Sequence, residues 1–217
     1  MLQEHVLFLD AEALVLDKPA GLPVDRPRDG ALSLDNHLAS LTFGFRRWPV
    51  AVHRLDRDTS GCLLLSRNPR AHARFQQAFE AGMVEKRYVA ILDGVPGAAE
   101  GMVDLPLAKV SSAAHGWRMR GDPKGKAART HWRLLGENDG RALVEFRPET
   151  GRTHQIRVHA LEGLGAAVTG DPFYGRADSG GMMLHALSLS VPRAGKEPVA
   201  AEAPWPARFA ALGFDRG

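Results

Sequence analysis

Apolar residues in this chain come in short runs, and turn-forming residues close almost every one of them. Val6-Leu7-Phe8-Leu9 and Ala13-Leu14-Val15-Leu16 are separated only by Asp10-Ala11-Glu12, a pattern that predicts a hairpin. Lys18-Pro19-Ala20-Gly21 and Leu22-Pro23 end it with turn chemistry. Further strands are predicted at Val50-Ala51-Val52, at GCLLLS (61–66) and at Arg87 to Leu92, the last with Asp93-Gly94 as its turn. Arg129 to Leu135 and Arg141 to Arg147 predict two strands joined around Asn138-Asp139-Gly140. Met183 to Val191 alternates as a half-buried strand does.

Helical spacing is rarer. Ser33 precedes Leu34, Leu38 and Leu41 and predicts a capped helix. Asn68-Pro69 opens a second helix carrying Ala71, Phe75, Ala78 and Phe79 and ending near Gly82. Thr153 is the expected cap of a third, bearing Ile156, Ala160, Leu161 and Leu164 and stopped by Gly163 or Gly165. Strands outnumber helices and short turns join them, which predicts an α+β fold with a largely antiparallel sheet.

The 217 residues suit one domain, or one domain with an appendage, and a 44% hydrophobic content supplies a core without disulfides or metals. Cys62, the single cysteine, excludes an internal disulfide framework and a multi-cysteine metal site, and fits a reducing compartment. The N-terminal MLQEHVLFLD breaks with Glu4 and His5 where a signal peptide needs apolar residues. No apolar run approaches the roughly 18 residues of a membrane span. A cytoplasmic protein with no membrane association is expected.

Net charge is only +3, but its distribution is uneven. Between residues 101 and 135, Lys109, Arg118, Arg120, Lys124, Lys126, Arg129 and Arg133 face only Asp104 and Asp122, so seven against two leave the segment +5. Arg46, Arg47, Arg54, Arg57, Arg67, Arg70 and Arg74 make a second basic stretch, opposed by Asp56 and Asp58. Two such segments suit a polyanion-facing surface as well as they suit solvated loops. The basic 101–135 segment also contains Gly, Pro and Ser and is expected as a long hairpin or an ordered loop.

Between two apolar strands lies the polar stretch HRLDRDTSG, residues 53–61. A carboxylate flanked by Arg54 and Arg57 stays ionised, and an ionised Asp on a loop serves as nucleophile, base or metal ligand, or simply closes a turn. Metal readings fail on spacing: His154 and His159 are five residues apart, about 140° around a helix, and cannot form an HExxH pair. Thr59 follows Asp58 directly, which breaks the D-x-D-x-T pattern of aspartate-nucleophile phosphatases. Neither a P-loop nor a G-x-G-x-x-G fingerprint is present.

HRLDRDTSG resembles the signature of RluA-type RNA pseudouridine synthases. So do DKPAG (17–21), KRYVA (86–90), GRTHQIRVH (151–159), GDPFYG (170–175) and LHA (184–186), all in the family's order. The resemblance implies an α+β fold with a mixed, largely antiparallel central β-sheet, flanking helices and a central RNA-binding cleft. It implies Asp56 as catalytic nucleophile, Tyr88 as the ring that stacks on the target base and acts at C5, and Arg157 as the cation paired with the catalytic carboxylate. Arg54 matches the residue that fills the gap left by a flipped nucleotide, and Ile156 an apolar wall of the uracil pocket. Thr59 and Arg152 belong to the same motifs and are expected near RNA, as are Lys124 and Lys126. His154 and Gln155, like Arg152, are expected as scaffold or RNA-backbone contacts, His53 and His185 as hydrogen-bonded structural residues, and Cys62 as core. Trp48, Trp117 and Trp132 suit stacking on RNA or core packing equally.

The implied reaction is an isomerisation within one uridine, so no cofactor and no metal is expected. The implied partner is a stem-loop in ribosomal or transfer RNA, bound by a monomer. Two departures from the family pattern, Asp17 in DKP and Asp25-Arg26-Pro27 after the Gly-Leu turn, lie toward the RNA-facing edge. The motifs begin at Asp17, so residues 1–217 are expected as a single catalytic domain without a separate N-terminal RNA-binding domain, and the basic 101–135 segment is expected to select RNA. A non-catalytic RNA-binding or RNA-folding protein of the same fold is the alternative, and a glycosidic-bond hydrolase using Asp56 a more distant one.

Overall fold

The computed structural model describes residues 2–27, 30–112 and 116–216. It divides into two compact units: Met1–Lys86 with Ala186–Pro204, and Arg87–His185 with Trp205–Gly217.

In the first unit β1 (Val6–Leu9) and β2 (Ala13–Lys18) form the expected hairpin. The Asp10 carboxylate ties its turn by accepting from the Glu12 and Ala13 amides. β2 pairs antiparallel with β4 (Ser60–Ser66), from Ala13 opposite Ser66 to Lys18 opposite Gly61, and β3 (Val50–Ala51) covers the far end of β4. Every residue of β4 is buried, as its unbroken apolar run requires. Helix α1 (Pro69–Glu80) starts where Asn68 Oδ1 accepts from the Ala71 amide at 2.9 Å. It lays Ala71, Phe75 and Ala78 on Val15 and Leu64. Residues Leu34–Leu41 form a 3-10 helix rather than an α-helix, with Asn36 Oδ1 accepting from the Ser33 amide at its start. Cys62 is buried in β4 with its sulfur toward the Leu187 and Ala201 carbonyls, and burial pushes its thiol up to about 12.

The second unit is built on antiparallel strands in the order β5 (Glu85–Leu92, which begins in the first unit), β10 (Arg141–Pro148), β9 (Arg129–Asn138) and β6 (Glu100–Asp104). Asp139 (φ 49°) and Gly140 (φ 72°) turn β9 into β10, and left-handed backbone at both central positions is what a two-residue hairpin needs. Tyr88, Phe146 and Trp132 lie side by side across β5, β10 and β9 and face an apolar cluster. Glu145 faces the other way, buried beneath Arg87, Arg133 and Arg147.

The basic segment is more regular than its composition suggests. It contains β6, a separate hairpin of β7 (Leu107–Ser112) and β8 (Gly116–Gly121), and the start of β9. Residues 113–115 of it lie outside the described residues. The helix expected from Thr153 opens one residue later. His154 is its N-cap, in left-handed backbone at φ 54°, and α2 (Gln155–Val158) passes into a π-helical turn over His159–Gly163. Inside that stretch Gln155, Arg157 and His159 are all buried, so polar contacts rather than an apolar stripe decide the winding. The last predicted strand is β11 (Leu184–Arg193), which pairs with β12 (Lys196–Glu202). β12 and the short helix α3 (Ala207–Ala210) carry no periodic signal that predicts them.

Gly61 sits at φ +104°, and a Cβ there would collide with the backbone carbonyl of Ala186. Gly61→Ala therefore combines backbone strain with a clash between main chains. It should lower unfolding stability by at least about 2 kcal/mol in a urea titration.

Candidate active site

Asp56 lies half-buried on the loop between β3 and β4. The Thr59 amide donates to the Asp56 carbonyl at 3.1 Å, which closes a turn over 56–59, and Thr59 itself is buried. The loop is held from below by Lys18, whose side chain is fully buried. Its ammonium donates to the carbonyls of Pro19 (2.8 Å), Leu22 (2.8 Å) and Arg57 (3.0 Å). The Gly21 amide donates to the same Arg57 carbonyl at 2.9 Å. The DKPAG turn and the HRLDRDTSG loop are thereby one assembly. His53 accepts from the Leu64 amide at Nε2 and stacks on Phe79 with centroids 4.8 Å apart. Burial, with Lys86 nearby, pushes its pKa down to about 4, so it is neutral scaffold. Arg57 turns to Asp58, while the exposed Arg54 reaches Asp25 at 2.6 Å.

In the second unit Tyr88 and Ile156 belong to one apolar cluster with Trp132, Phe146 and Leu184. Arg157 is buried and forked onto Asp171. Nε donates to Oδ2 at 2.7 Å and Nη2 to Oδ1 at 2.8 Å. Asp171 is fully buried, and its Oδ1 also accepts from the Phe173 and Tyr174 amides. The guanidinium lies 5.4 and 5.1 Å from the Phe173 and Tyr174 ring centroids. Gln155 accepts from the Thr150 hydroxyl and the Arg152 amide, and donates to the Arg129 carbonyl and Thr130 Oγ1. Thr130 Oγ1 in turn meets His159 Nδ1 at 2.9 Å, and burial holds His159 below its ordinary pKa. Arg152 is exposed, with Nε on the Ala127 carbonyl. Lys124 and Lys126 are exposed on the turn after β8, where Leu107 and Lys126 exchange backbone hydrogen bonds at 2.9 Å.

Residues 12–162 match the sequence profile of the RNA pseudouridylate synthases. The chain belongs to that family. An uncharacterized RNA pseudouridine synthase of Zymomonas mobilis is 61% identical over 217 residues, covering 99% of both chains. The ribosomal large subunit pseudouridine synthase D of the same organism is 39% identical over 184 residues, 80% of this chain and 56% of that one. Among solved structures, the human RNA pseudouridylate synthase domain-containing protein 4 superposes with a TM-score of 0.82 at 25% identity, over 99% of this chain and 95% of that one. Human domain-containing protein 1 superposes at 0.78 with 28% identity, over 93% and 83%. The α+β architecture is thus the pseudouridine synthase fold, and the chain is an isomerase of the RluA type.

Two supports of this pseudouridine synthase site are not evident from the sequence. GDPFYG reads as a turn, yet its Asp171 is the buried partner of Arg157; the signal is an Asp whose turn role and buried fork are served by one carboxylate. Lys18 reads as turn punctuation, yet it is the clamp beneath Asp56's loop. Among the described residues no group of three or more His, Cys, Asp or Glu could hold a metal, and no helix is long and apolar enough to cross a membrane. Asp171→Asn keeps the shape but removes the charge opposite a buried guanidinium. It should cost about 3–5 kcal/mol of stability, read as a lowered urea midpoint with an unchanged m-value.

Proposed function

We propose that this pseudouridine synthase isomerises specific uridines in structured ribosomal or transfer RNA, with Asp56 as nucleophile, Tyr88 at the flipped base and Arg157 as the cation that keeps the catalytic carboxylate ionised. Residues 1–217 act as one catalytic domain, as a monomer in the cytoplasm. The observation that carries the reading is Asp56 itself, a carboxylate in a signature loop fastened to the preceding DKPAG turn by the buried Lys18 side chain and the Gly21 amide.

The chemistry breaks C1′–N1 and forms C1′–C5 in the same nucleotide, the C5 proton leaves to solvent, and N1 takes up a proton in its place. Atoms and electrons balance without a second substrate or a redox partner. Whether the carboxylate attacks C1′ or removes a ribose proton, it has to be ionised and fixed. A stacked base has to be flipped out first. Tyr88, Ile156 and the cluster behind them supply an apolar wall with an aromatic face. Arg54 is the candidate to fill the vacated stack, and to do so it leaves Asp25, an exposed partner that is easily exchanged. Arg152, Lys124 and Lys126 are candidates for backbone phosphate contacts, and Thr59 holds the loop that presents Asp56.

Tritium release from C5-labelled uridine in unmodified total RNA tests the reaction. Wild type should release tritium, and Asp56→Asn should lose roughly a thousandfold or more of the rate while still binding RNA. Full activity in that variant removes Asp56 as the nucleophile, and no release by wild type with intact binding favours a non-catalytic RNA-binding protein. Tyr88→Phe should lower kcat by about a hundredfold with little change in KM. An unchanged kcat reduces Tyr88 to a stacking platform.

A further inference from the structure

In the first unit, residues 42–49 (TFGFRRWP) join the 3-10 helix to β3, and the isomerisation gives them no role. The segment begins as a tight turn. The Phe45 amide donates to the Thr42 carbonyl at 3.1 Å, and the two central residues, Phe43 (φ 46°) and Gly44 (φ 84°), are both left-handed. A bulky aromatic residue rarely adopts that backbone, so its surroundings have to hold it there. Arg67 does so. Its buried guanidinium donates through Nη2 to the carbonyls of Thr42 (2.8 Å) and Phe43 (3.2 Å), and through Nη1 to that of Asp10 (2.6 Å). Its Cζ lies 3.7 Å from the Phe45 ring centroid, so Phe45 belongs to the anchor.

The far end of the segment is fixed as well. Pro49 is buried, and Val50 pairs with Ser66 of β4. Between these anchors every residue from Phe43 to Trp48 is exposed. Trp48 is 57% exposed, and among the described residues it has no ring, cation or hydrogen-bond partner. An indole serving the core would be covered, as Trp132 is. Arg46 and Arg47 form no ion pair among the described residues. The carboxylates of the neighbouring β1–β2 turn are already engaged, Asp10 by Arg193 and Glu12 by Arg74 and Lys196. Two consecutive guanidinium groups and the indole that follows them are thus held out to solvent by an anchored loop.

We infer that residues 46–48 form a second RNA contact, which docks unpaired nucleotides of the substrate away from the uridine being isomerised. The inference rests on reading the chain as an RNA enzyme, and it names a feature of the RNA that the enzyme selects. An indole stacks on the face of any base, and neighbouring guanidinium groups take the phosphates on either side of it. A paired and stacked base presents no free face, so the partner is single-stranded. Strand β4 sets the separation. It starts at Ser60, beside the loop that bears Asp56, and ends at Ser66, opposite Val50. Six strand steps of about 3.3 Å span about 20 Å, or about six steps of stacked RNA strand at roughly 3.4 Å each. The contact therefore reads the flank of the target rather than the target itself.

The probe is a fluorescein-labelled oligo-C of about ten nucleotides, which offers no uridine to the catalytic site, with affinity read by anisotropy. Trp48→Ala should weaken binding about tenfold, with an unchanged urea midpoint because the side chain has no partner to lose. Trp48→Phe should fall between the two, and it carries the test if the Ala variant fails to fold. Arg46→Gln with Arg47→Gln should flatten the slope of log affinity against log salt by about 1.4, the value for two phosphate contacts on a single strand. In tritium release from total RNA, the loss in Trp48→Ala should fall on KM rather than on kcat. Wild-type oligo-C affinity in the Trp48 variants, or an unchanged salt slope in the arginine variant, overturns the contact. Unchanged oligo-C affinity together with Trp48-dependent sedimentation on phosphatidylserine vesicles also overturns it, and assigns the loop to a lipid surface. The binding measurements judge the contact whether or not tritium is released, whereas absence of release by wild type overturns only the catalytic reading.

Discussion

An ammonium group taken wholly out of water has to be surrounded by oxygen, and Lys18 meets that demand with three backbone carbonyls from two distant stretches of chain. The arrangement works in both directions. The carbonyls of Pro19, Leu22 and Arg57 belong to turns, and the ammonium satisfies all of them from one point. Displacing the loop that bears Asp56 would take the Arg57 carbonyl away from a buried charge, so the loop is tied to the strand from which Lys18 projects. Gly61 continues the same constraint on the far side of the loop, where only a residue without a Cβ fits against Ala186.

The second unit fixes its candidate residues by the same physics with different groups. Arg157 is buried because Asp171 matches its fork, and Asp171 is buried because the amides of Phe173 and Tyr174 share its other lone pairs. Gln155, Thr130 and His159 form a chain in which each polar atom has a partner of the right sense. A neutral His159 suits that chain, since its Nε2–H donates to the Leu105 carbonyl while Nδ1 accepts. The irregular winding from α2 into the π-helical turn follows from these contacts, because an ideal helix is less important there than the placement of three polar side chains in succession.

This explains what could be read from the sequence. Strand positions follow from short apolar runs, and α1 from Asn68-Pro69 with Ala71, Phe75 and Ala78, because those signals are local. The motif strings point to Asp56, Tyr88 and Arg157 for the same reason. Thr153 is misleading as a cap because the left-handed His154, held by the Tyr174 hydroxyl, decides where the helix starts. The Arg57 carbonyl that Lys18 reaches and the Asp171 carboxylate that Arg157 reaches are 39 and 14 residues away in sequence, and nothing in the immediate neighbours of Lys18 or Arg157 announces them. β12 is exposed at most positions and has too few buried residues to leave a period. The regularity of the basic segment was equally hidden, because β7 and β8 are defined by pairing with each other rather than by apolar alternation.

Cys62 has one more consequence. A thiol whose ionisation is pushed to about 12 within a fully buried strand presents no thiolate to an electrophile near neutral pH. The native chain is therefore silent toward maleimide dyes and spin labels while it stays folded. A cysteine introduced at an exposed site such as Lys124 would take up a single probe without removal of the natural one. The same silence serves as an unfolding clock, since Cys62 becomes reactive only when β4 comes apart.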